Sequence, residues 1–259
     1  MAARQIVFVH GMFMTSSCWS GWLPHFERKG YRCQAPAWPG RDRSVAQLRA
    51  AHPDPELGRL TLSRVVQHYE TIISQLEDKP IVIGHSMGGL IAQLLLNRET
   101  VAAAVAIDPA PPAGVFTAKW SFLRSNWPMV NPFVRGTVPR AMPFADFQYA
   151  FANTLPLALQ RKAFDEFVVP ESRMVPREST RAAGRIDFEK PHAPLLITAG
   201  ECDHIIPSSL NRSNFARYGK NGSKTEFKEF PGRDHFGIGA PGWEEIADFA
   251  HDWLVRELN

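Results

Sequence analysis

The sequence predicts an α/β fold: a mainly parallel sheet of about six strands flanked by helices, with an inserted helical cap. Three observations carry this. Short apolar runs of strand length alternate with stretches whose apolar residues recur at helical spacing, the pattern of successive β-α-β units. One such strand runs directly into Gly84-His85-Ser86-Met87-Gly88-Gly89, a G-x-S-x-G turn of the kind that joins a strand to a helix. The alternation stops between Pro111 and Gly184 and then resumes. The expected division is a core of residues 1–110 and 185–259, with 111–184 as the cap.

The first strand is Ile6-Val7-Phe8-Val9, followed by the turn His10-Gly11-Met12-Phe13. Trp19, Trp22, Leu23 and Phe26 then recur at helical spacing, and Gly30 supplies the stop. Tyr31 to Ala35 reads as the second strand, with Pro39-Gly40-Arg41-Asp42 as the turn after it. The stretch to Arg59 is polar and proline-bearing and reads as loop. Leu62, Val65, Val66, Tyr69, Ile72, Ile73 and Leu76 mark one face of a long helix. Pro80 to Ile83 is the strand before the serine, and Leu90, Ile91, Leu94 and Leu95 lie on the helix after it. Ala102 to Ile107, Leu195 to Ala199 and Thr225 to Phe230 are further strands. Ile246, Phe249, Ala250, Trp253 and Leu254 mark a last helix packed on the sheet.

Composition narrows the class. The chain of 259 residues is 44% hydrophobic and 21% charged, ordinary values for one globular domain with a modest insertion. A net charge of +3, with no run of Lys and Arg long enough for a basic patch, gives no reason to expect a nucleic-acid partner. Cys18, Cys33 and Cys202 are odd in number and widely spaced; they form no metal pattern and favour a reducing, cytoplasmic compartment. Ile6 to Val9 is too short for a signal-peptide core. No apolar run approaches the length of a membrane span, so no membrane partner is expected.

The chemistry is concentrated at strand ends. The G-x-S-x-G turn holds a serine in a sharp bend with its hydroxyl exposed, making Ser86 the candidate nucleophile. A serine nucleophile needs a base, an acid and donors for the developing oxyanion. The donors are expected to be backbone N–H groups: Met12, in the turn after the first strand, and Met87, next to the serine. His10 itself is expected to hold its turn together. His235 is the base, placed after the last strand and before the last helix. Of the other histidines, His25, His68 and His251 fall on helices, His192 precedes its strand, and His204 adjoins the acid. Asp203 is the favoured acid, in the loop Gly200-Glu201-Cys202-Asp203. Asp108, at the end of an earlier strand, is the alternative, and Glu201 shares the Asp203 loop. Asp234 is expected to fix its own loop.

These residues, in this order, resemble a serine hydrolase of the α/β-hydrolase fold, and the resemblance covers essentially the whole chain. The strand running into His10-Gly11, with Trp19 beginning the next helical pattern, is similar to the plant methylesterase and hydroxynitrile lyase group. The resemblance implies acyl transfer to water through an acyl-enzyme, with no metal and no organic cofactor. It departs in the middle segment, and at Phe236, where those lyases carry a lysine. A serine at the elbow also disfavours the dehalogenase and epoxide hydrolase relatives, which use aspartate there.

The cap segment is rich in aromatic residues, and most of them are expected to form its own core. Some must face the pocket, and Trp120 and Trp127 are the candidates, joined by Phe13 from the turn after the first strand. A wall of this kind favours an apolar acyl or alkyl group over a sugar or a polyanion. The expected partner is a small ester or lactone. Two other readings stand beside this one: a small-molecule receptor of slow or absent turnover on the same fold, and a lyase using the same residues as acid and base.

Overall fold

The computed structural model describes residues 4–219 and 222–258; residues 1–3 and 259, at the ends of the expected core, lie outside the described residues. Six strands form one all-parallel sheet in the order β2-β1-β3-β4-β5-β6. They are β1 (Gln5–Val9), β2 (Arg32–Gln34), β3 (Ile81–His85), β4 (Ala103–Ile107), β5 (Leu195–Gly200) and β6 (Thr225–Phe230). Strands β1, β3, β4 and β5 are buried along almost their whole length, which is why they read as unbroken apolar runs with no alternation.

Between β1 and β2 the chain makes a short 3-10 helix (Ser16–Trp19) and α1 (Trp22–Glu27). The single helix expected from Trp19 to Phe26 is thus two pieces, parted at Ser20-Gly21. Phe8, Trp19, Trp22 and Phe26 still meet as one aromatic cluster, with ring centroids 5.0 to 6.3 Å apart. After β2 come α2 (Val45–Ala50), α3 (Pro55–Gly58) and α4 (Leu62–Ile73). The first two correct the expectation of loop up to Arg59. Ser44 and Gln47 close a capping box at α2, and Asp54 caps α3 with Pro55 in its first turn.

Helix α5 (Met87–Asn97) follows β3 and is buried on nearly every face. Residues 111–184 contribute no strand to the sheet. They hold α6 (Trp120–Val130), α7 (Phe144–Ala150), α8 (Leu157–Phe167), α9 (Met174–Ser179) and a 3-10 turn at Ala182–Gly184. One isolated antiparallel bridge, Arg140 to Glu171, ties this segment to itself. Helix α10 (Ser208–Arg217) lies between β5 and β6, and α11 (Glu244–Leu258) closes the chain.

The strand order reverses between β1 and β3. The chain moves outward to β2, then crosses back to the other side of β1. Open α/β sheets bind ligands in the crevice at the carboxyl ends of strands where this reversal occurs. Val9 pairs with Gly84, so the turn after β1 and the turn after β3 leave the sheet side by side.

Candidate active site

The chain leaves β3 through Ser86, whose backbone sits at φ 58, ψ −120, a conformation that L residues adopt at a cost. Two glycines make the turn feasible. A Cβ on Gly84 would lie 2.0 Å from the Gly88 carbonyl oxygen, so strand and helix pass where no side chain fits. The elbow is tied to β4 by the Ser86 N–H, which donates to Ile107 O at 2.9 Å, and by Ala110 N–H, which donates to Ser86 O at 2.9 Å.

His235 reaches this serine from the loop after β6. Its Nε2 lies 2.9 Å from Ser86 Oγ, and its Nδ1 lies 2.6 Å from Asp203 Oδ2. Burial pushes the imidazole down to about 3, so it is neutral near pH 7. Burial pushes the Asp203 carboxyl up, while hydrogen bonds from Ile206 and Ile205 N–H pull the other way. With the imidazole as a third donor, Asp203 is placed as an acceptor throughout. The shared proton therefore belongs on Nδ1, leaving the Nε2 lone pair facing the serine hydroxyl.

The turn after β1 lies against the same serine. A Cβ on Gly11 would come within 2.8 Å of Ser86 Cβ. Beyond it, Met12 and Phe13 line the space above Ser86, as does Met87. Among the described residues, neither the Met12 N–H nor the Met87 N–H, the latter at the first position of α5, has an acceptor. His10 holds the turn as expected. Its Nδ1–H donates to Gly11 O at 2.8 Å, its Nε2 accepts from Trp38 N–H at 3.2 Å, and its ring stacks on Trp38. Burial lowers His10 to about 3, so this histidine stays uncharged.

The remaining acidic candidates are engaged elsewhere. Asp108 Oδ1 accepts from Gly200 N–H at 2.6 Å, tying the carboxyl ends of β4 and β5 together. Its carboxyl is pushed up by burial and by Asp203 beside it. Glu201 accepts from Gly232 N–H. Asp234 binds Thr154 through both the N–H and the hydroxyl, so it fixes its loop against residues 151–156. His204 Nδ1–H donates to Tyr149 O at 2.8 Å.

The model of the alpha/beta hydrolase family matches residues 6–249, nearly the entire length. The chain belongs to the alpha/beta hydrolase family. Solved structures of this alpha/beta hydrolase fold agree in architecture at low identity. Polyneuridine aldehyde esterase is 17% identical, with a TM-score of 0.69 over 96% of this chain and 98% of that one. The monoacylglycerol lipase of Paleococcus ferrophilus is 21% identical, with a TM-score of 0.69 over 99% and 97%. Tomato methylketone synthase I, complexed with 2-tridecanone, is 14% identical, with a TM-score of 0.70 over 99% and 100%. No curated protein matches the chain by sequence. Membership of the alpha/beta hydrolase family makes hydrolysis the expected class of activity.

In this alpha/beta hydrolase, a cavity of about 700 Å³ opens over Ser86, and its wall is mainly apolar. Phe13 and Trp127 are on that wall; Trp120 is not, and 73% of its surface is exposed. The expectation that Trp120 faces the pocket is therefore corrected. It shares a helix face with Trp127 but stands two turns before it, at the first residue of α6.

Three wall or support residues escaped the sequence reading. Phe151 lines the cavity and sets its ring edge-on to His235 at 5.1 Å. His85, buried beside the serine, donates from Nε2–H to the His235 carbonyl at 2.8 Å, and so ties the elbow to the loop carrying His235. Burial holds His85 well below the usual imidazole range, so it is a neutral donor. Glu171 accepts from Phe13 N–H at 3.1 Å and pairs with Arg41, both side chains being buried. The sequence carried a signal for His85, as the variable position of the motif, and for Phe151, as one of the aromatic residues of the 111–184 segment. Glu171 and Arg41 are 130 residues apart and had none.

Proposed function

We propose that the protein is a serine hydrolase that cleaves small carboxylic esters or lactones with an apolar acyl group, through an acyl-enzyme on Ser86. The observation that carries this reading is the unbroken relay Ser86–His235–Asp203, at 2.9 and 2.6 Å, with Ser86 lining an apolar cavity. We also infer that residues 111–184 act as the cap that walls that cavity.

In this mechanism Ser86 Oγ attacks the ester carbonyl carbon as its proton passes to His235 Nε2. The carbonyl π pair moves to oxygen, and the Met12 and Met87 N–H groups hold the resulting oxyanion. Asp203 stabilises the imidazolium and keeps Nδ1 protonated. The tetrahedral species collapses, the C–O bond to the leaving alcohol breaks, and His235 returns its proton to that oxygen. Water then attacks the acyl-enzyme with His235 again as base, which frees the acid and restores Ser86. The buried, neutral state of His235 suits it to start each half of the cycle as a base.

Turnover separates this reading from a receptor on the same fold. With a p-nitrophenyl ester in excess, the hydrolase releases p-nitrophenol steadily over many equivalents. Release of a single equivalent, followed by a stable acyl-protein, would favour the receptor.

A further inference from the structure

The Met87 N–H is fixed by the start of α5, but the Met12 N–H sits in a loop and needs its own support. That loop is strained: Phe13 has φ 62, in the left-handed region, where a bulky residue stays only if its surroundings hold it there. The holding groups come from residues 169–171, more than 150 positions away. Phe13 N–H donates to Glu171 Oε2 at 3.1 Å, and Phe13 C=O accepts from Val169 N–H at 2.9 Å. Both polar groups of Phe13 are thus clamped from one side.

The clamp is built for a charge. Glu171 is fully buried, and its other oxygen accepts from Ser172 N–H at 2.7 Å. Arg41 lies 3.3 Å from it, 2% exposed, and donates as well to Pro170 O and Met14 O. The same Glu171 is paired through its backbone with Arg140, so the clamp is continuous with the segment that walls the cavity. A lone buried carboxylate next to an oxyanion site would oppose the negative charge that develops there; the Arg41 guanidinium cancels it.

We propose that Glu171 is a positioning residue for the oxyanion hole: its carboxylate, neutralised by Arg41, anchors the peptide that follows Met12 and so aims the Met12 N–H at the reacting carbonyl. This rests on the reading of Ser86 as the nucleophile of an ester hydrolase. Glu171 does not touch substrate. It acts through the backbone, so its loss should lower kcat, where the oxyanion exists, and leave KM nearly unchanged.

The test compares two double variants, R41M/E171Q and R41M/E171M. Both lack the ion pair and both are uncharged at these positions. They differ in whether residue 171 offers an oxygen to Phe13 N–H. A fluorophosphonate titrates the competent Ser86 in each preparation, and kcat and KM on p-nitrophenyl butyrate are expressed per titrated site. The glutamine variant should exceed the methionine variant in kcat by about 30-fold or more, approaching the 10²–10³ lost when an oxyanion donor is deleted outright. KM should agree within about threefold. A purely structural role would shift Tm and the titratable fraction but leave kcat per site equal, and equal kcat would overturn the proposal. E171D supplies a reading that keeps the charge opposite Arg41. It draws the carboxylate back by one methylene, and its kcat per site should fall about tenfold or more. Wild-type kcat in E171D would equally overturn the clamp. Absence of labelling in the unmodified protein is a separate result: it would remove the hydrolase reading itself, and with it this inference.

Discussion

Replacing Gly11 with alanine tests the geometry of the site with a single methyl group. The new Cβ would stand 2.8 Å from Ser86 Cβ, 3.0 Å from the His85 carbonyl oxygen and 3.4 Å from Ser86 Oγ. Carbon atoms pack at about 3.5–4.0 Å, so the turn and the elbow must separate by roughly 0.7 to 1.2 Å. The Met12 N–H lies on one side of that gap and Ser86 on the other, so in the proposed mechanism the separation falls directly on the reacting geometry. A displacement of about 1 Å costs about a hundredfold in rate. That corresponds to about 2.7 kcal/mol of lost transition-state stabilisation. The assay is kcat/KM on p-nitrophenyl butyrate per fluorophosphonate-titrated site, with Tm measured alongside. Gly219→Ala is the control, because among the described residues its Cβ would meet only Ala216 O, at an ordinary 3.6 Å. It should keep wild-type activity. A Gly11→Ala enzyme within threefold of wild type would refute the close packing of oxyanion turn against nucleophile.

Asp203→Asn should be far more damaging than Asp108→Asn or Glu201→Gln, on the order of the ten-thousandfold seen when the triad acid of a serine protease is changed. Asparagine at 108 can still accept from Gly200 N–H, and a greater loss there would move the acid to the end of β4. The acid limb of kcat/KM should have its midpoint below the usual imidazole value of 6.5, because burial lowers His235 and the base is lost only on protonation. A midpoint above 6.5 would contradict a desolvated base. Across a p-nitrophenyl ester series, kcat/KM should rise about fourfold per added methylene until the cavity is full. Trp127→Ala should flatten that rise and Trp120→Ala should not, since only Trp127 is on the wall; identical profiles would place Trp127 outside the acyl site.

The sequence made the elbow legible because its geometry demands particular residues. Gly84 and Gly88 stand where a Cβ would meet backbone, and an apolar strand must precede the serine. His235 and Asp203 followed from chain order, since each lies just past the carboxyl end of a strand in one parallel sheet. Helices α2 and α3 were hidden by the polar composition of residues 41–59, although Ser44…Gln47 and Asp54-Pro55 are recognisable start signals. Trp120 and Trp127 could not be told apart, because a seven-residue spacing puts both on one helix face. What separates them is position along α6: the helix lines the cavity from Phe122 onward, past Trp120. Glu171 and Arg41 were invisible for a deeper reason. A buried ion pair leaves no periodicity, and in sequence each looks like an ordinary surface charge.

Covalent labelling tests directly the proposal that Ser86 forms an acyl intermediate. The intact protein and Ser86→Ala are treated with a fluorophosphonate, the adduct is located by peptide mass spectrometry, and ester hydrolysis is followed in parallel. The expected result is one adduct per chain at Ser86, loss of hydrolysis in step with labelling, and neither adduct nor turnover in Ser86→Ala, whose Tm stays at the wild-type value. Loss of a triad serine costs on the order of a millionfold in a well-studied protease. A Ser86→Ala protein that keeps a tenth of wild-type hydrolysis, or an adduct on another residue, would contradict it.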